Sequence, residues 1–344
     1  MIKKKNKIIL YMNSYINKNK FFHEIIETLL KDKLKNIKED NYLCDIDYVY
    51  RFNYNKCKIV SQIKKGDILG NKWYQYENYV KWCKENNYLN KLYFIPKTYK
   101  LNKKNLNKKF LKLLFQKNYK WIVKPINGSF RAGIHVVQNY NNLINWMNKY
   151  INSQWVLQEY IDNPLKLYNK KFHFRIYVLL IKTKTYTQVF IYNKGYIFLS
   201  QKEYNPNSLD DDSNLSGGDS KDVMRLYPDI FVKNFGYTNY KNVLKQINDI
   251  VKYTMLSTID KLQCINSEKK NYKCYKLLGY DILINKNFQC FLGEINSRTV
   301  NVKYPIKNMY ENLLKIILLK GPVKNDYIFK NKLEWYSIIN KKYI

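Results

Sequence analysis

Within this 344-residue chain, the stretch Leu277–Ser297, LLGYDILINKNFQCFLGEINS, leaves the backbone the fewest choices. Two runs rich in apolar and aromatic residues, Leu278–Ile284 and Phe288–Ile295, flank the polar Asn285-Lys286-Asn287, which is the pattern of two strands joined by a turn. Asp281 lies within the first strand. Glu294 and Asn296 stand two apart at the end of the second, so the period of a strand points them to one face. Three oxygen donors meeting across a hairpin form the hard-ligand set that suits Mg²⁺, an ion that keeps waters and shares nucleotide phosphates. The alternative is a hairpin whose acids face solvent. Against it, Glu294 follows the apolar Phe291-Leu292, and Asn is a poor strand residue unless its amide is needed.

Two upstream segments ask for an anion. Trp121–Val137, WIVKPINGSFRAGIHVV, reads as a strand ending on Lys124-Pro125, a polar loop with Gly128 and Ser129, and a second strand from Ile134. A lysine at a strand end, beside loop N–H groups, can clamp triphosphate oxygens. No GK[ST] opens a helix here, which excludes a P-loop. The segment Lys171–Ile181, KFHFRIYVLLI, alternates so that Phe172, Phe174, Ile176 and Val178 face one way and Lys171, His173, Arg175 and Tyr177 the other. Three basic side chains on one face of a central strand repel one another unless something anionic lies between them, and bound nucleotide would serve. An ordinary hairpin with a surface lysine, and a solvated sheet face, are the alternative readings of these two segments.

Other segments supply scaffold. Helical spacing marks Phe21–Lys35, Asn71–Asn86, Leu106–Lys117, Asn139–Ile151, Asn242–Leu262 and Ile306–Leu319. Ile8–Met12, Asp45–Asn53, Lys58–Ile63, Thr187–Tyr192 and Tyr196–Leu199 read as extended, and Phe94–Tyr99 as an edge segment around Pro96. Gln154–Ile161 is a short strand that Asn163-Pro164 ends. Gln201–Asp222, with Asp210-Asp211-Asp212, is a long irregular region whose acidic triplet reads as a solvated tip or a further cation site. The basic, aromatic Lys320–Ile344 has no clear assignment.

Bulk properties bound the function. A hydrophobic content of 46% with 34 Tyr excludes a disordered chain. A formal net charge of +34 favours polyanionic partners: nucleic acid, an anionic membrane or an acidic polypeptide. The six cysteines contain no C-x-x-C pair and indicate neither a zinc site nor a disulfide scaffold, which fits a reducing cytoplasmic setting. The basic Met1–Lys7 followed by Ile8–Met12 mimics a signal peptide, but Asn13 and Ser14 break the run. No stretch approaches the ~18 apolar residues of a membrane span.

In order along the chain, YFIPKTYKL, WIVKP with its Ser/Gly loop, WVLQEYIDNPL, KFHFRIYVLL, LLGYDILI and FLGEINS resemble the tubulin–tyrosine ligase-like family of ATP-grasp ligases, from about Lys58 to Asn312. The resemblance implies an α+β ATP-grasp fold, with antiparallel sheets, flanking helices and nucleotide bound between subdomains. Divided accordingly, the chain has an N-terminal α/β domain (1–93), a central subdomain (94–165), a C-terminal subdomain with the metal site (166–325) and a basic tail (326–344). It also implies roles. Lys124 holds the ATP phosphates with Ser129 in the adjoining loop. Gln158, Glu159 and Tyr160 form the adenine hinge. Lys171 and His173 stand in the family's KFD-x-R element, and Arg175 is its arginine, facing the transferred phosphoryl group. Asp281, Glu294 and Asn296 form the Mg²⁺ triad. In such enzymes ATP phosphorylates an acceptor carboxylate and an amino acid's amine displaces phosphate. The partners implied are an acidic protein such as a tubulin tail and a free amino acid, in the cytoplasm beside microtubules.

Departures from the family pattern cluster near the reacting centre. His173 replaces an acid, Arg131 a glycine and Phe198 a second arginine. Asn214-Leu215-Ser216-Gly217 stands for HLTN, and Arg298-Thr299 follows Asn296 where a proline is common. These changes motivate a second reading, a degenerate ATP-grasp module that binds nucleotide or an acidic partner without turnover. A basic nucleic-acid-binding protein is the third.

Overall fold

The structure, a computed structural model, describes residues 43–44, 59–61, 63–102, 106–116, 119–127, 133–149, 154–217, 224–264, 272–297, 307–319 and 321–343. The readings at Ile8–Met12, Phe21–Lys35, Asp45–Asn53, Gly128, Ser129, Arg131, Arg298 and Thr299 lie outside the described residues.

The main sheet is built on β9 (Lys170–Lys182), flanked by β13 (Lys273–Ile284) and β10 (Tyr186–Leu199), both antiparallel to it. Beyond β13 lie β14 (Cys290–Asn296) and, in parallel, β2 (Ile59–Val60) followed by β1 (Leu43–Cys44). Beyond β10 lie β11 (Met224–Tyr227) and β15 (Trp335–Lys342). The alternation of β9 sets the layers. Phe172, Phe174, Ile176, Val178 and Leu180 face a core shared with α2 (Lys72–Glu85) and α7 (Tyr237–Leu256). On the opposite face Tyr177, Leu179 and Ile181 pack against α8 (Lys307–Ile317) and Trp335. Lys171, His173 and Arg175 continue that second face before the apolar cover begins, which is why they are basic where their successors are apolar.

A second, four-stranded antiparallel sheet runs in the order β4 (Thr98–Asn102), β7 (Gln154–Glu159), β5 (Trp121–Pro125), β6 (His135–Val137). Trp121, Val123, Trp155 and Leu157 turn toward α3 (Lys108–Phe115) and α4 (Tyr140–Asn148), whose Leu111, Phe115, Leu143 and Met147 complete that core. Period two then turns Lys124 and Gln158 to the other face.

Local differences from the sequence reading have physical causes. The hairpin loop extends to Gln289, because Asn285 Oδ1 accepts from the backbone N–H groups of Asn287 and Gln289 (3.0 Å each) and Phe288 adopts φ 58°, so the second strand starts at Cys290. Within it the register slips: Ile282 faces Leu292 but Asp281 faces Glu294, leaving Gly293 as a bulge. A Cβ on Gly293 would lie 3.0 Å from the Asp281 carbonyl oxygen. Leu89–Phe94 winds as a 3₁₀ helix, so the edge strand begins at Thr98 and not at Phe94. Part of the irregular region is ordered by α5 (Asp211–Asn214), and its acidic triplet is committed to protein partners: Lys202 pairs with Asp210 and Asp212 (3.3 and 3.4 Å) and His135 with Asp211 (3.1 Å). The expectation of unbridged thiols fails at Cys264 and Cys274, which form a disulfide; Cys83 and Cys290 are free and buried. Ten residues of sequence hid that pair, which pairing of β12 (Gln263–Cys264) with β3 (Ile63–Lys64) brings beside β13. Within the segment read as a basic tail, α9 (Asn325–Lys330) leads into β15, which completes the main sheet along β10.

That last strand is an integral part of the core. Trp335 is buried, its ring 5.1 Å from that of Tyr192, and its indole N–H donates to the Met309 carbonyl at 3.3 Å. Trp335→Ala should therefore destabilise the fold by about 3–5 kcal/mol, read as a lowered midpoint in urea unfolding. A change within about 1 kcal/mol, the range of surface substitutions, would place β15 outside the cooperative core.

Candidate active site between the two sheets

The bulge at Gly293 assembles one end of the site. Uninterrupted alternation from Leu292, a core residue, would turn Glu294 inward with it; the extra residue resets the phase, so Glu294 stands opposite Asp281 while Ile295 takes the core side. Arg175, cross-strand neighbour of Asp281 on β9, grips that carboxylate through Nε and through Nη2 (3.0 Å). Asn296 Nδ2 donates to Asp281 Oδ2 at 3.1 Å, and His173 Nε2 lies 3.6 Å from Oδ1. Burial opposes charge on Asp281, but Arg175, His173 and the Asn296 hydrogen bond outweigh it and hold its carboxyl below the usual range. His173 Nδ1 also pairs with the Ser216 hydroxyl (2.7 Å), and its ring stacks on Phe198 at 5.4 Å. The Arg175 guanidinium lies 5.5 Å from the centre of the same Phe198 ring.

Lys124 approaches from the four-stranded sheet. Its buried amine donates to Gln158 Oε1 at 2.8 Å and, across the cleft, to the Gly293 carbonyl at 3.4 Å. That carbonyl belongs to the bulged residue. Gln158 in turn donates to the Thr98 hydroxyl (2.9 Å), which fixes its amide. Burial pushes the Lys124 amine down to about 8, opposed by the nearby Glu294.

Farther along the cleft the Lys171 amine sits 3.7 Å above the ring of Tyr160, which also receives Lys120 at 5.8 Å. The Tyr160 hydroxyl donates to the carbonyl and the Oδ1 of Asn214, the first residue of the stretch that stands for HLTN (3.2 and 3.0 Å). Burial lowers the Lys171 amine to about 7, against the pull of Asp162, with Lys124 and Lys120 adding to the fall. Glu159 does not join this group. Its side chain is exposed and its backbone N–H donates to the Lys97 carbonyl (2.8 Å).

One member went unread. Lys72, at the start of α2, is buried, and its amine meets Glu294 Oε2 at 3.2 Å. The sequence held a signal for it: the buried residues of α2 are Lys72, Gln75, Tyr79 and Cys83, so a lysine and a glutamine occupy the apolar stripe of an amphipathic helix. Lysine is almost never fully buried unless paired, so one in that stripe asks for an acidic partner, and Glu294 is it.

The cleft thus gathers the cationic side chains Lys72, Lys120, Lys124, Lys171 and Arg175 around the acids Asp162, Asp281 and Glu294. Among the described residues no group of three His, Cys, Asp or Glu side chains could hold a metal on its own. Two carboxylates and one amide on a single face suit a hard cation whose remaining ligands come from phosphate and water.

Comparison of the sequence with known proteins identifies its family. A sequence profile of the Tubulin-tyrosine ligase family matches residues 53–216 and 227–326. Tubulin glycylase 3F of Tetrahymena thermophila is 27% identical over 203 residues, 51% of this chain and 21% of that protein. A probable tubulin polyglutamylase, ttll-9 of Caenorhabditis elegans, is 24% identical over 228 residues, covering 62% of this chain and 52% of its own length. The inactive polyglycylase TTLL10 of Homo sapiens is 27% identical over 240 residues, 59% of this chain and 34% of that protein. The chain therefore spans only about a fifth to a half of the length of these relatives. With more than half of its residues matched and an α+β, ATP-grasp-like arrangement of two antiparallel sheets about a basic cleft, the chain belongs to the tubulin-tyrosine ligase family.

Proposed function

We propose that this chain is an ATP-dependent carboxylate–amine ligase that joins a free amino acid to a carboxylate of an acidic protein, with tubulin as the first candidate acceptor. The observation that carries the reading is the cleft itself, where a buried amine from the four-stranded sheet, another from α2 and a guanidinium from the main sheet converge on a cross-strand pair of carboxylates. Such an excess of buried positive charge suits a triphosphate. The names of the relatives, tubulin glycylase and tubulin polyglutamylase, support the acceptor class.

Chemically, the acceptor carboxylate attacks the γ-phosphorus of ATP and ADP leaves. The amino acid's nitrogen then attacks the carbonyl carbon of the acylphosphate, phosphate leaves, and the nitrogen loses a proton as the amide forms. The first step brings two anions together, so fixed positive charge has to offset their repulsion. Lys124, with Gln158 holding its amine in place, would meet the phosphates. Arg175 would face the transferred group, oriented by the Phe198 ring. Tyr160 would line the nucleotide's base end, and the Lys171 amine above its ring would reach toward the phosphates, with His173 between Lys171 and the reacting centre. Asp281, Glu294 and Asn296 share one face and Asp281 stays ionised despite burial, so they would hold Mg²⁺ once Arg175 and Lys72 are displaced from the two carboxylates and the Asn296 amide turns its oxygen inward. When bound, the ion would neutralise developing charge on phosphate oxygens. Lys72, already against Glu294, is a further candidate for that cluster. No helix among the described residues is long and apolar enough to cross a membrane.

A second reading, nucleotide or acidic-partner binding without turnover, is favoured by Phe198, which puts a ring where the family has a second arginine. The inactive human relative gives it precedent. Intact-mass measurement of tubulin incubated with the protein, Mg-ATP and each candidate amino acid separates the two. Ligation adds the mass of one or more residues and releases ADP. Nucleotide binding with no added mass and no ADP supports the second reading. Lys124→Met should lower the ligation rate by about 10²–10³. Because it also leaves the Gln158 and Gly293 oxygens without their donor, the stability read by urea unfolding alongside should fall by about 1–3 kcal/mol, while the nucleotide-free protein still folds.

The lowered lysines give a pH dependence with a definite sign. Lys171 and Lys124 lose their protons near 7 and 8 in the nucleotide-free protein, whereas a triphosphate binds their charged forms. ATP binding should take up protons, and its affinity should fall by at least about tenfold between pH 7 and 9. Titration calorimetry in buffers of different ionisation enthalpy reads both. A flat profile that Lys171→Met does not change would remove these amines from the nucleotide site.

A further inference from the structure

Away from the cleft, α7 and β15 border a groove of about 480 Å³ lined by Lys241, Leu244, Lys245, Asn248, Asp249, Lys252, Ser337 and Ile338. Positions 241, 245, 248 and 252 recur at the spacing of one helix face, so the three lysines form a row about 16 Å long at 1.5 Å per residue. All three are exposed. Among the described residues no carboxylate pairs with any of them. The groove's one acid, Asp249, is already occupied by Lys91 at 3.2 Å. The floor is Leu244 and Ile338, and Ile338 is the extra residue where the β10–β15 register slips, so its side chain is turned out of the regular ladder.

From this geometry we infer that the α7–β15 groove is a docking site for an extended acidic segment of a polypeptide, separate from the ATP cleft. Lys241 and Lys245, about 6 Å apart along the helix, match carboxylates two residues apart on one face of an extended chain at about 3.3 Å per residue, and the flexible stem of Lys252, about 10 Å farther on, can reach a third acid on that same face. Side chains that carry acids would meet the lysines while an apolar neighbour rests on Leu244 and Ile338. Polynucleotides fit the lining less well. Its lining holds no arginine to grip a phosphate by two N–H groups, and the rings beside it, Tyr237 and Tyr253, already lie under the Lys241 and Lys252 amines at 5.2 and 5.8 Å. The inference rests on the ligase reading for the identity of the acidic segment, which would be part of the acceptor held away from the bond being formed. It rests on the groove alone for the binding.

The test uses the full chain without nucleotide and fluorescein-labelled poly-L-glutamate as the probe, with binding followed by anisotropy at two salt concentrations. Lys241→Glu/Lys245→Glu/Lys252→Glu, applied together, should weaken binding at least about tenfold, since each reversal turns an attraction into a repulsion. Lys108→Glu/Lys109→Glu/Lys112→Glu on exposed positions of α3 changes the net charge equally and should stay within about twofold. Thermal melts of both variants confirm folding. Equal weakening by the two triple variants would overturn the proposal in favour of diffuse charge, and so would absence of binding. Tighter binding of an RNA oligomer of equal charge, lost in the groove variant, would overturn it in favour of nucleic acid. ATP binding measured on the same samples keeps the two readings separate: the ligase reading fails if ATP does not bind, and the groove fails if poly-glutamate does not.

Discussion

A guanidinium and a carboxylate facing each other across adjacent strands hold the site together. Arg175 on β9 and Asp281 on β13 are register partners, and both are largely withdrawn from water. Neither charge is tolerable there alone, because an unpartnered buried ion is strongly destabilising. Their pairing ties strand register to site chemistry: a one-residue slip of β13 would turn Asp281 into the apolar core and leave Arg175 without its counter-ion. A hydrophobic pair of similar volume would serve the fold as well or better. Retention of the ion pair is therefore best understood through what it can present to a ligand.

Around that pair, division of labour between the two faces of β9 is strict. One face is apolar from Phe172 to Leu180, under α2 and α7, with a lysine at each end of the strand. The other changes character at Tyr177, where α8 begins to cover it, and the basic stretch before it is left to the cleft beside the four-stranded sheet. The same strand thus closes a core and floors a cleft, and Lys124 reaches that floor from the opposite wall.

Much of this was legible because it follows period two or 3.6. The alternation of Lys171–Ile181, the strand before Lys124 and the hairpin around Asp281 could be read residue by residue. The bulge at Gly293 could not, since period two carried on from Leu292 gives Glu294 the wrong side, and only the choice of Asp281 as its partner corrects it. Lys72 was passed over because α2 reads as an aromatic packing helix, although its stripe carried a lysine and a glutamine at core positions. The disulfide and β15 depend on contacts between segments far apart along the fold's path, and local pattern has no access to those. Glu159 illustrates the converse: its side chain points to solvent, so a role at the hinge would fall to its backbone, which residue type does not reveal.

The amine of Lys124 binds Gln158 on one sheet and the freed carbonyl of Gly293 on the other. It is a latch whose bolt is also the group that a polyphosphate would draw toward itself. Any anion that recruits this nitrogen competes with the tie between the walls, so ligand capture and the gape of the cleft become two readings of one coordinate.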